Sequence, residues 1–208
     1  MANVPPEVLP DAWQPLLTQP PLAELLGQPL VDDALLAMHR LLPPRVAVHS
    51  LRTFLLADAA GRARGSECDP AGLFAAAAFH DTGLTGSAPR VRGGFPCRSA
   101  VLLDRFLARH GVGEGRRRAL TRAVREHMRP FPARDAGPEA RLLHFGAWLD
   151  VVGRGGREVP GERGRLAELA PTPWFAVSFA ARVALCGLRG ILPDRPPPTG
   201  GRLRRPAS

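Results

Sequence analysis

Apolar residues recur along this chain at the three- and four-residue spacing of helices, and no stretch shows the strict alternation of a half-buried strand. Residues 31–42 show the helical spacing first, and Pro43 and Pro44 stop it. Pro44 then suits the first turn of a second helix over 44–60. Asp69 followed by Pro70 reads as an N-cap with proline in the first turn, opening a helix that Gly83 is expected to end. Further helices are expected over 98–110, 114–128, 138–152 and 174–188, with a Gly- and Arg-rich loop at 87–95 ahead of them. The pattern predicts an all-α single domain, a helical bundle over 30–192. Residues 1–29, proline-rich with short apolar clusters, are expected to wrap the surface as an irregular arm. Residues 193–208 are rich in Pro, Gly and Arg without apolar periodicity, which predicts a disordered tail.

The length of 208 residues suits one domain with a sizeable core. Charge changes the picture less than its size suggests. The formal net charge is +9, but all 28 basic residues are Arg, Lys and Tyr are absent, and Ile and Asn occur once each. That bias follows G+C-rich codons, so the basic balance is not taken as the footprint of a nucleic-acid partner, and a small-molecule substrate is expected instead. With no Lys, Schiff-base and lysine general-base chemistry is excluded. Cys68, Cys97 and Cys186 are odd in number and form no C-x-x-C pair, which fits a reducing cytoplasm better than a disulfide scaffold. The first residues lack the basic start and apolar core of a signal peptide, and no apolar run reaches membrane-spanning length. A soluble cytoplasmic protein without a membrane partner is the expectation.

Polar residues inside apolar stretches carry the candidate chemistry. His80 and Asp81 follow the four alanines of FAAAAFHDTG, Asp150 sits among Trp148, Leu149, Val151 and Val152, and His49 lies on the helix over 44–60. Burying an imidazole beside a carboxylate without a partner costs about 2–7 kcal/mol for the polar group and more for the charge. A bound cation removes that cost, and two imidazoles with two carboxylates form a nitrogen and oxygen donor set for zinc, iron or manganese. His49, His80, Asp81 and Asp150 are therefore the expected metal ligands, with one divalent ion and zinc as first choice. His80 and Asp81 point about 100° apart on a helix, so a shared ion must sit at the helix end, with His49 and Asp150 reaching in from flanking helices. P-loop, nucleophile-elbow and H-E-x-x-H motifs are absent.

The segments HSLRTF at 49–54, AFHDTG at 78–83 and LLHFGAWLDVVG at 142–153, in this order, resemble the HD-domain superfamily of metal-dependent phosphohydrolases, and within it the cyanamide hydratase-like branch. The resemblance spans about residues 30–185. It implies an HD-domain bundle and a hydrolase or hydratase in which a water activated on the metal attacks a small molecule, such as one with a nitrile or cyanamide group. Asp81 is expected to act as both ligand and proton acceptor, His127 to carry protons, and Arg52, on the same helical face as His49, to orient the substrate. A phosphohydrolase of a nucleotide or phosphate ester is the alternative, expected to aim Arg52, Arg90, Arg92 and Arg98 at the metal. A hydratase is expected to show a small apolar pocket walled by Phe79, Phe95, Trp148 and Phe175. A non-catalytic metal-binding or regulatory module is the third reading. His110 is read as the end of its helix and His144 as facing away from Asp150, so neither is expected to bind metal. Where the hydratase branch carries an acidic stretch after the loop, this chain reads GGFPCRSAV without a carboxylate, so its pocket is expected to differ.

Overall fold

The computed structural model describes residues 9–86, 88–89 and 91–191. Among them are ten α-helices and no strand. Two short ones, α1 (Gln14–Leu17) and α2 (Pro20–Ala23), precede α3 (Pro29–Leu41), α4 (Pro44–Ala63) and α5 (Pro70–Phe79). Then come α6 (Gly94–Arg109), α7 (Glu114–Glu126), α8 (Pro138–Val152), α9 (Glu162–Leu169) and α10 (Phe175–Ile191). Proline opens α3, α4, α5 and α8, where its missing N–H is one that a helix leaves unbonded anyway. The expected cap also forms: the Asp69 carboxylate accepts from the backbone N–H groups of Ala71 and Gly72 at 3.1 Å each, worth about 1 kcal/mol.

The centre of the bundle is the pair α4 and α8, which share the most extensive contact in the molecule. Small residues set their spacing. A Cβ on Gly146 would stand 2.2 Å from the Thr53 carbonyl oxygen, so only glycine fits where the two backbones nearly touch. Gly61 meets Leu142 one step along, and His49 meets Asp150 at the other end. Since 61, 53 and 49 descend as 142, 146 and 150 ascend, the helices run antiparallel. Helix α5 packs on α3, α4 and α7, and α7 packs on α6 and α8.

Several expected boundaries shift for identifiable reasons. Helix α5 stops at Phe79 rather than at Gly83, because side chains take its last carbonyls. His80 Nδ1–H donates to the Ala77 carbonyl at 2.7 Å, and the Thr82 hydroxyl donates to that of Phe79 at 2.7 Å. Gly83 is instead a contact glycine, whose Cβ would lie 2.0 Å from the Phe95 carbonyl oxygen. Helix α6 begins four residues before the expected start, after Gly93 turns the chain at φ 100°. Helix α9 was not expected at all, since Leu166 is its one buried side chain. The arm before residue 30 consists of short helices and turns anchored in the core: Trp13, Leu16 and Leu22 are completely buried, while Pro20, Glu24 and Gly27 between and after them are exposed. The expected tail at 193–208 lies outside the described residues. Among the described residues, no helix is long and apolar enough to cross a membrane.

Candidate metal centre

Two helices end at the site with the same device. His80 follows α5 directly, His127 follows α7, and each ring donates Nδ1–H to the carbonyl three residues earlier, Ala77 at 2.7 Å and Val124 at 2.6 Å. Each bond satisfies a carbonyl that a helix C-terminus leaves open. It also fixes the tautomer, leaving Nε2 of the neutral ring as a lone pair aimed inward. His49, in the middle of α4, is fixed the same way by a different partner: its Nδ1–H donates to Asp150 Oδ2 at 2.6 Å.

The three Nε2 atoms converge on Asp81. His49 Nε2 and His80 Nε2 are 3.2 Å apart, and they stand 3.6 Å and 3.2 Å from Asp81 Oδ2. His127 Nε2 stands 3.6 Å from the other carboxylate oxygen, Oδ1. All four side chains are buried. With each Nδ1 committed as donor, the neutral cluster holds three lone pairs and a carboxylate and has no donor to share. Accordingly, both Asp81 oxygens and His127 Nε2 are buried without a hydrogen bond among the described residues. Acceptors alone cannot satisfy one another, so a proton or a metal ion must complete the cluster.

The spacing fits a metal. Donors about 2.1 Å from a zinc ion in a tetrahedron stand about 3.4 Å from each other. The triangle of His49 Nε2, His80 Nε2 and Asp81 Oδ2 has edges of 3.2, 3.2 and 3.6 Å. These three residues form the group whose ligand atoms lie close enough to hold one ion. Helix dipoles add to the preference, because α5 and α7 end at the site and α8 ends two residues past Asp150. Their C-terminal ends carry partial negative charge and favour a cation.

Asp150 and Arg52 stand elsewhere than expected. The Asp150 carboxylate lies on the Nδ1 side of His49, away from the three-residue group, where Arg52 Nε meets its Oδ1 at 2.8 Å and an Arg52 terminal nitrogen donates to its Oδ2 at 3.1 Å. The arrangement gives Asp150 the work of holding the His49 ring and its tautomer in place. Arg52 faces away from the cluster, donating also to the Ala170 carbonyl and the Thr172 hydroxyl at 3.1 and 2.9 Å, so it pins the chain between α9 and α10. His144 donates from Nε2 to the Arg129 carbonyl at 2.8 Å, and His110 pairs with Asp33 at 3.3 Å, both apart from the cluster as expected.

A cavity of about 370 Å³ opens on the cluster. His49, His80 and His127 form its polar side, and Met128, Trp148, Val151, Phe179 and Val183 are among its apolar walls. Among the described residues, no arginine lines it. Arg52 is turned away, Arg92 and Arg98 lie elsewhere, and Arg90 falls outside the described residues. Of the four expected walls only Trp148 is present. Phe95 packs on His127 and Phe175 on His49 from outside the cavity, while Phe79 packs on Phe106. The walls from α10 went unrecognised because its Phe179 and Val183 read as ordinary core positions. A scan against protein-family models and a search of curated proteins give no match to this chain.

The imidazoles predict a pH signature. Burial disfavours the charged ring of His80, but the Asp81 charge and hydrogen bonding outweigh it and raise its pKa above 6.5. Burial lowers the pKa of His127 and His144 below 6.5. The His80 proton thus stabilises the chelated protein below pH 6.5, and that contribution is lost as pH rises through the raised folded pKa. The other two rings remove stability as pH falls from 6.5 through their lowered values. Melting of the chelated protein should therefore peak near the ordinary imidazole pKa. With zinc bound, the protons are displaced, and melting temperature should climb to a plateau above pH 6.5 instead of falling. Parallel melting curves on the two sides would show that no ligand proton is being displaced.

Proposed function

We propose that this protein is an HD-domain metal-dependent enzyme, a hydratase or hydrolase that adds water to a small uncharged substrate such as a nitrile or cyanamide. One observation carries the reading: three fixed imidazole lone pairs and a buried carboxylate converge at the polar end of an apolar cavity that, among the described residues, has no cationic donor. A phosphate ester brings negative charge that needs several such donors. The helix C-termini around the cluster would repel it further.

His49, His80 and Asp81 would hold the ion, with zinc the first choice and iron or manganese as alternatives. A divalent ion supplies a Lewis acid there and lowers the pKa of a coordinated water toward neutrality. His127 keeps Nδ1–H on Val124 and has Nε2 free beside Asp81, where it can take a proton from the attacking water and return it to the substrate nitrogen. The net change adds one water across the carbon–nitrogen triple bond: oxygen bonds to carbon, protons go to nitrogen, and an amide results. The apolar walls hold the substrate and exclude bulk water.

Metal analysis of the purified protein, followed by assays with cyanamide, small nitriles and p-nitrophenyl phosphate, tests the reading. About one equivalent of a divalent ion and chelator-sensitive amide formation are expected, with the phosphate ester untouched. A protein that takes up no divalent ion, or one that cleaves the phosphate ester and leaves the nitriles unchanged, overturns the proposal.

A further inference from the structure

The cavity is much larger than the smallest substrates of this chemistry require. Three heavy atoms, as in cyanamide, take up on the order of 100 Å³ at the roughly 30 Å³ share of a water-sized group. The cavity measures about 370 Å³, within the roughly 300–1,000 Å³ typical of ligand pockets. The space left over is apolar. Trp148 donates its one polar hydrogen to the His127 carbonyl at 3.0 Å, and its ring is stacked against His144, so it presents hydrocarbon to the cavity in a fixed orientation. Met128 and Val151 continue that wall, and Phe179 and Val183 of α10 face it. Ala180 and Ala184, both exposed, leave the space open beside Val152, which is 59 % exposed.

We infer that the substrate has two parts: a neutral polar head that reaches the histidines and an apolar body about the size of an aromatic ring that fills the cavity between α8 and α10. The choice of head rests on the proposed metal chemistry, and the choice of body rests on the walls alone. An unfilled apolar cavity of this size forfeits contacts that a ring would make with every wall. A charged body would lose its hydration without gaining a partner.

The test is binding by the zinc-loaded protein, measured calorimetrically for acetonitrile and for benzonitrile, with conversion to amide followed separately. Benzonitrile should bind about ten- to a hundredfold tighter, the factor that burying one phenyl-sized group supplies. Ala180→Phe and Ala184→Leu, both at exposed positions, place side chains in the opening and should erase most of that preference while leaving zinc content unchanged. Equal affinity for the two nitriles, absence of binding by both, or a benzonitrile preference that survives both substitutions overturns the inference. Benzonitrile that binds with the expected preference and is never converted supports the inference and instead refutes the hydratase reading.

Discussion

Replacing Asp81 by asparagine should cost the site its capacity for a divalent ion, and any turnover with it, and should also lower the stability of the chelated protein. The carboxylate is completely buried, and neither oxygen has a hydrogen bond among the described residues. Burial opposes its ionisation, but His80, His127 and His49 together hold its pKa far below the usual carboxylate range, so it remains an anion. A folded pKa held that low means that the imidazoles more than offset the cost of burying the charge, so the ionised carboxylate stabilises the fold. Asparagine keeps the shape, removes the charge and brings N–H donors to a cluster that lacks them. The chelated variant should therefore melt below the wild-type temperature, because the lost ionic contribution outweighs the new donors. With a metal at a hundredfold excess over its Kd, the wild-type protein should gain about 2.7 kcal/mol and the variant nothing. Urea unfolding with and without zinc, together with metal content, separates the roles. Full metal occupancy in the variant would remove Asp81 from the ligand set, and unchanged or higher stability in chelator would show that the imidazoles do not stabilise its charge.

Arg52→Met should carry a large structural cost while leaving the three-residue group itself intact. It leaves the buried Asp150 carboxylate without its guanidinium, and breaking a buried pair from one side costs about 3–5 kcal/mol. That is a large share of the about 5–15 kcal/mol that holds a typical domain together. The bonds to Ala170 and Thr172 go with it, so amide exchange should accelerate around residues 170–175 more than in α4. Adding Asp150→Asn should recover part of the loss, since the stranded charge is then gone. A loss below about 1 kcal/mol in the single variant would show that solvent replaces Arg52 freely, against its burial.

What was legible in the sequence is local. The prolines at the starts of α3, α4, α5 and α8 and the apolar spacing behind them place the starts of those helices to within about two residues. Polar residues set in apolar runs point to His49, His80 and Asp81, which the structure brings together. The direction a side chain takes was not legible. Asp150 lies in such a run too, but the antiparallel register of α4 and α8 puts it against the back of His49, and no local pattern encodes a contact 101 residues apart. Arg52 was placed on the correct helical face, yet its partners Ala170 and Thr172 belong to a connection whose path is set by tertiary packing. His127 was indicated by resemblance alone. The recurring bond from a histidine to the carbonyl three residues before it, at two helix ends, becomes visible only once both ends are known.

The separation of the ligands along the chain also bears on the order in which the molecule is made. His49, the pair His80 and Asp81, His127 and Asp150 come from four different segments, and the contact that steadies the first of them closes a 101-residue loop. Neither α4 nor α5 alone brings His49, His80 and Asp81 together, and Asp150, which fixes the His49 ring, arrives last, so the site would reach the full geometry for a divalent ion only after α8 has packed on α4. Metal would then leave the rate of folding unchanged and retard the reverse step, because its bonds are missing from the transition state and present in the product. For this fold, a bound ion would work as a latch fitted after assembly.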